Sequence, residues 1–307
     1  MGEVTFRLKP IPPFRLDLTA WAIRRRPHNT IDHFDGETYR RVVVIDRQPA
    51  AISVRQIAPP KSPELEVVAT GPGVSKKNAH ALEAMVTRVL GLSIELRDFY
   101  RLAREDATLR PLVNRLKGMK PVRFPTNFEA FTNAVACQLV SLTAGMHVVN
   151  RIAGKYGLAC DVDGVRFHAS AEACDIARAE VEDLRALGLS RPKARYLIGV
   201  AQLASANGDF DAVATLDDAA AIAELCKLSG VGRWTAEYVL LRGFGRFNIF
   251  PGDDVGGRNG LRAYLGISDA LDYAGVRTTI ARWHAWGGFI YFHLLVNALA
   301  DKEIVRA

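Results

Sequence analysis

The hydrophobic and polar positions of this chain follow two textures. Up to about residue 70 the apolar residues come in short β-prone runs. Thr38–Ile45 (TYRRVVVI) and Ala51–Ile57 (AISVRQI), joined by DRQPA, predict a hairpin, and Glu64–Thr70 (ELEVVAT) predicts a third strand. Leu16–Arg26 puts Leu16, Ala20 and Ile23 on one helical face, and further helices are expected from about Asn78 to Leu90 and from Ile94 to Arg104. Pro121 and Pro125 mark a boundary. Beyond it the pattern is almost entirely helical. Phe128–Gly157 reads as one long apolar-periodic segment, Ser190 and Pro192 open a helix that Gly208 closes, and Asp217 or Asp218 starts the next. The expected fold class is an α+β N-terminal domain over residues 1–120, followed by a mainly α-helical region over residues 121–307. The chain shows neither an internal repeat nor a low-complexity tract.

Composition changes this picture little. A hydrophobic content of 49% and a charged content of 24% suit a soluble globular protein. The N-terminal residues mix charge and proline, unlike a signal peptide. The most apolar segment, Ala285–Ala300, is interrupted by His293 and Asn297 and is too short to span a bilayer. The expected setting is therefore cytoplasmic, with no membrane partner. Cys137, Cys160, Cys174 and Cys226 form no CxxC pair, which argues against a zinc ribbon or a redox dithiol. Charge is more informative. Residues 1–123 carry 22 Lys and Arg against 13 Asp and Glu, whereas residues 124–307 carry 18 against 20. A basic first part favours polyanions, although a merely solvated basic surface would look the same.

Candidate chemistry concentrates between Lys227 and Gly256. There a helix, the turn SGVG and a second helix, RWTAEYVLLRG, are followed by FPGDDVGG. Gly230 and Gly232 allow a tight turn, and its backbone N–H groups, beside a helix N-terminus, suit a phosphodiester. An ordinary helical hairpin has the same glycines. The turn carbonyls suit a monovalent cation equally well. Asp253 or Asp254 caps the next helix, or else serves as a carboxylate facing a cleft. Trp234 and Tyr238, four apart, share a helical face that suits either core packing or a stacking wall.

Taken together, LSGVGRWTAEYVLLRG and FPGDD resemble the helix-hairpin-helix DNA glycosylase superfamily, and within it the bacterial 3-methyladenine DNA glycosylase II group. The spacing of 20 from Trp234 to Asp254 matches that group without a gap. Phe124–Gly145 and LRALGLSRPKARYLIGVA agree as well, so the resemblance covers about residues 120–300. It implies double-stranded DNA containing damaged bases as partner, a monomer, and base excision by a flipped-nucleotide mechanism. Asp254 would stabilise the oxocarbenium-like sugar and orient water. The hairpin at 228–235, with Gly230, Val231, Gly232 and Thr235, would hold the backbone. Trp234, Tyr238 and Leu295 would line the base pocket, Leu295 standing where the group has an aromatic residue. Phe124 would be the wedge filling the gap in the duplex. Lyases of this superfamily carry a lysine where Trp234 stands, so the expected reaction is monofunctional hydrolysis of alkylated purines. No organic cofactor is implied, and no cysteine cluster for an iron–sulfur centre follows the helical region. A Na or K ion on the carbonyls of Cys226, Leu228 and Val231 is the one inorganic partner expected. Two alternatives stay open: another damaged base, deaminated or oxidised, and a non-catalytic lesion-binding protein. Gly256, Gly257 and Gly260 depart from the family pattern, each at a cost to helix stability of about 1 kcal/mol relative to alanine.

Overall fold

A computed structural model describes residues 2–208 and 210–305. The first part holds a five-stranded antiparallel sheet of β1 (Gly2–Leu8), β2 (His33–Phe34), β3 (Thr38–Ile45), β4 (Gln48–Gln56) and β5 (Leu65–Gly71), in the order β1-β5-β4-β3-β2. In β5, alternate residues from Leu65 to Gly71 are buried, as a strand with one covered face requires. The β3–β4 hairpin forms as expected, but its turn is only Asp46-Arg47, both at positive φ (49° and 59°), and β4 begins within DRQPA. Strand β1 pairs with β5 from Gly2↔Gly71 to Leu8↔Leu65 and went unread, because proline and charge flank it closely. Helix α1 (Leu16–Arg24) packs beside this sheet.

The helices that follow are α2 (Ala79–Leu90), α3 (Arg97–Glu105), α4 (Leu109–Arg115), α5 (Asn127–Cys137), α6 (Leu142–Tyr156), α7 (Ala173–Ile176), α8 (Val181–Ala186), α9 (Arg191–Asn207), α10 (Asp211–Ala214), α11 (Asp218–Leu225), α12 (Arg233–Val239), α13 (Val255–Leu265), α14 (Tyr273–Ile280) and α15 (Gly287–Ala300). A π-helical turn, Leu240–Phe244, continues α12. Ser190 and Asp217 cap α9 and α11 through their side chains. Two features correct the sequence reading of this part. Strands β6 (Ala159–Val162) and β7 (Val165–His168) form a hairpin inside the stretch read as helical, around Asp163-Gly164 at φ 52° and 77°. An Asp-Gly pair between short β-prone runs is the residue signal for that turn. The long segment from Phe128 to Gly157 is also not one helix. It breaks at Gln138–Ser141, where Leu139 sits at φ 55° and Ser141 caps α6.

Both parts share one apolar core, running from Phe14 to Val305. Part of the basic excess of the first region is spent inside it: Arg24, Arg25, Arg41 and Lys120 are buried. Arg41 bridges β3 to α5 by pairing with Asp32 at 2.7 Å and with Glu129. Burial, with the neighbouring Asp32 charge, raises the Glu129 carboxyl above its ordinary range despite the Arg41 contact. The ring of Phe99 on α3 lies 5.4 Å from Trp286, 4.7 Å from Phe289 and 5.1 Å from His293, so α3 sides with α15.

Candidate active site

The first turns of α12 hold the loop before α13 at three points. Trp234 Nε1 donates to Asp254 Oδ2 at 3.1 Å. Arg233 donates through Nε and Nη2 to Asp253 Oδ2 at 2.9 and 2.8 Å, with its guanidinium 3.5 Å above the Tyr273 ring. Buried Glu237 accepts from Gly252 N at 3.0 Å and from the Tyr273 hydroxyl at 2.7 Å. The spacing of 20 between Trp234 and Asp254 is therefore a register: residues 233 and 234 grip residues 253 and 254. Arg233 and Glu237 took no part in the sequence reading, and that repeated spacing was the signal that would have found the Arg233–Asp253 pair.

Asp254 combines both roles that the sequence left open. Its Oδ1 accepts from Gly257 N at 2.5 Å and so caps α13, while the carboxylate lines a cavity of about 1130 Å³. Asp253 pairs with Arg233, and Asp254 is the one of the two that caps α13. Trp234 and Tyr238 also line the cavity, with ring centroids 5.6 Å apart. Tyr291 and Leu295 reach it from one face of α15. Tyr291 thus supplies an aromatic wall beside Leu295, because residues four apart on a helix share a face. It lies against Gly257, where an added Cβ would come within 2.7 Å of its ring. Burial, followed by the nearby Asp254 charge, pushes the Tyr291 hydroxyl well above its ordinary value, which keeps it neutral.

The deep end of the cavity is cationic. Arg25, from the turn after α1, donates to the Tyr238 hydroxyl at 2.8 Å and to Asn133 Oδ1. Arg242, from the π-helical turn, lies over the Phe292 ring at 4.6 Å. Both are buried, and both went unnoticed in the sequence.

The break between α5 and α6 forms the opposite lip. Gln138 Nε2 donates to the Gly230 carbonyl at 2.9 Å and to Thr235 Oγ1 at 3.0 Å. Lys193 Nζ donates to the Gln138 carbonyl at 2.6 Å. Pinned on both sides, the turn thrusts Leu139 fully into solvent (103% exposed), with Val140 partly exposed behind it. Leucine at positive φ with an exposed apolar side chain is unfavourable twice over and marks a contact surface. Phe124, expected as the wedge, is 1% exposed and packs under Arg25 and Arg242, so it is a core residue, whereas Leu139 is the apolar side chain left outside. The Thr235 side chain is buried and bonded to Gln138, which leaves its backbone as the part of it that belongs to the hairpin surface.

In the hairpin itself, Gly230 has φ 77°, and a Cβ there would strike Tyr196 at 2.1 Å, so the fold requires it. Gly232 faces open space at the N-cap of α12, which has no side-chain cap. Val231 is buried, and its N–H donates to the Leu228 carbonyl at 3.0 Å. Leu295 and Asp254 both line the cavity.

Residues 132–285 match the family described as HhH-GPD superfamily base excision DNA repair protein. The chain is 26% identical over 204 residues to DNA-3-methyladenine glycosylase of Bacillus subtilis (strain 168), covering 66% of this chain and 67% of that protein. It is 28% identical over 186 residues to DNA-3-methyladenine glycosylase 2 of Escherichia coli (strain K12), covering 59% of this chain and 63% of that one. The structure of 3-methyladenine DNA-glycosylase from Archaeoglobus fulgidus superposes with a TM-score of 0.83 at 24% identity, over 97% of this chain and 98% of that one.

Proposed function

This chain belongs to the HhH-GPD superfamily of base excision DNA repair proteins, and on that premise we propose that it hydrolyses the N-glycosidic bond of alkylated purines in double-stranded DNA. One observation carries the reading: Asp254 is held at the cavity by Trp234 Nε1 and Gly257 N–H, beside a wall of Trp234, Tyr238 and Tyr291. A base in a duplex must leave the stack to react. Leu139 would occupy the gap it leaves, and the hairpin amides near Gly232 would hold the backbone. The flipped purine would stack on the aromatic wall with C1′ beside Asp254. As the glycosidic bond breaks, the electron pair leaves with the base. The carboxylate then stabilises the electron-poor sugar and orients the water that adds to it.

The reaction is monofunctional in this reading, because Trp234 cannot form a Schiff base. Among the described residues Lys302 is the lysine that lines the cavity, so it is the first candidate amine for a lyase. The carbonyls of Cys226, Leu228 and Val231 are hard donors that suit a Na or K ion, with one lone pair of Leu228 already engaged by Val231. Among the described residues no helix is long and apolar enough to cross a membrane. The experiment is base release from duplexes carrying 3-methyladenine, with Asp254→Asn as control and borohydride added to trap any imine. Release by the parent protein, little by the variant and no trapped adduct supports the proposal. Equal release by both removes Asp254 from the mechanism, and a trapped adduct lost in Lys302→Ala establishes lyase chemistry instead.

A further inference from the structure

Gln138 ties the hairpin to the lip through both its side chain and its backbone. Its side-chain Nε2 donates to the Gly230 carbonyl at 2.9 Å and to the buried Thr235 Oγ1 at 3.0 Å. A carbonyl only accepts, so the amide nitrogen has to face the hairpin and the side chain is held in one orientation. The backbone carbonyl of Gln138 accepts from Lys193 Nζ at 2.6 Å, and Lys193 also donates to the Ala136 carbonyl at 3.4 Å. Three residues further along α9, on the same helical face, the Tyr196 ring packs under Gly230. Hairpin, Gln138 and the start of α9 therefore form a closed circuit of contacts.

The next residue gives that circuit a use. Leu139 stands at φ 55°, a region costly for leucine, and its side chain is fully exposed. Such a conformation persists only where surrounding contacts over-determine it. With its own side chain in solvent, Leu139 is fixed by its flanks: Gln138 before it and Ser141, the N-cap of α6, after it. Of these two, Gln138 leads to the hairpin. Its amide grips the hairpin at residues 230 and 235, on both sides of Gly232, whose amide faces open space.

We propose that Gln138 is a positioning residue that couples seating of the DNA backbone on the hairpin to presentation of Leu139, so that the two act as one unit in opening the base stack. The proposal rests on the glycosylase reading above, which supplies damaged duplex DNA as the partner. The test duplex carries 7-methylguanine with 2-aminopurine as its neighbour, whose fluorescence rises on unstacking. The rate of that rise is read by stopped flow, base release is read on the same duplex, and Kd for an undamaged duplex is read by anisotropy. Gln138→Met keeps the length of the side chain and removes both donors. The rise is expected to slow about tenfold in this variant, with Kd within about threefold of the parent value. Leu139→Ala is expected to slow the rise as well, and the double variant no further than Leu139→Ala alone, because residues that act through one step are not additive. Lys193→Met frees the Gln138 carbonyl, is expected to act in the same direction, and keeps the test open if Gln138→Met misfolds. An unchanged rise in both variants, equal losses of rise and affinity, or a double variant that shows the product of the single effects overturns the proposal. Base release by the parent without a fluorescence rise overturns it too and leaves the glycosylase reading standing. A rise without base release supports the coupling and removes the glycosylase reading alone.

Discussion

Arg41 and Arg242 are equally buried and are treated in opposite ways. Arg41 meets two carboxylates, Asp32 at 2.7 Å and Glu129, and the Asp32 carboxylate also accepts from the Tyr39 hydroxyl at 2.6 Å. Arg242 meets the Ala22 carbonyl at 3.3 Å and the rings of Phe124, Tyr238 and Phe292. Each leaves its Nε unpartnered among the described residues, so the difference lies in the carboxylates. A guanidinium neutralised on both sides joins two elements and has little field left for a ligand. One that faces rings and a cavity keeps its field for whatever enters. Burial alone therefore does not distinguish the two charges; direct pairing with a carboxylate does.

The comparison breaks most visibly at Glu129. Glu129→Gln leaves Arg41 with one carboxylate and is expected to cost about 3 kcal/mol, read from urea unfolding, with the rate of base release by the folded fraction little changed. Asp254→Asn should do the reverse. Loss of the charge at the sugar is expected to slow release by about 10²–10³-fold, whereas stability should shift by less than about 0.5 kcal/mol, since asparagine caps a helix as well as aspartate does. If both variants lose stability and activity together, the two regions are not separable.

His293 adds a third kind of buried base, one with no charge to neutralise. Its Nδ1–H donates to the Phe289 carbonyl at 2.9 Å, and burial pushes its pKa down to about 4. The unfolded chain binds this proton near the ordinary value of 6.5, and the folded chain only near 4. Stability contributed here is thus complete above pH 6.5 and is lost as pH falls toward 4, by an amount on the order of 3 kcal/mol. Melting temperatures between pH 7.5 and 4.5 should fall, and fall less in His293→Leu. The smallest effect is expected at the lip. Leu139→Ala should reduce base release about tenfold through loss of the wedge and leave the melting temperature unchanged, because the side chain touches solvent alone.

Much of this was legible along the chain. The hairpin glycines, Trp234, Tyr238, Asp254 and Leu295 all stand on or beside one cavity, and the strands from Thr38 to Thr70 lie where their alternation puts them. These features are local, or repeat at a helical or strand period, so neighbouring residues carry the signal. The misses share a different cause. Phe124 and Leu139 are both apolar residues next to a helix end, and nothing in their neighbours says that one is sealed in the core and the other stands free. Only the packing of α5 against α12, with Gln138 bridging to Gly230 and Thr235, decides it. Arg25 and Arg242 lie 217 positions apart, and in the sequence each is one basic residue among many. The sequence by itself determined most of the helices, the strands from Thr38 to Thr70 and the spacing of 20, because backbone propensity and spacing act over short range. The tertiary structure alone decided which charges went unpaired and which apolar side chain was left outside, because burial is a property of contacts made across the whole chain.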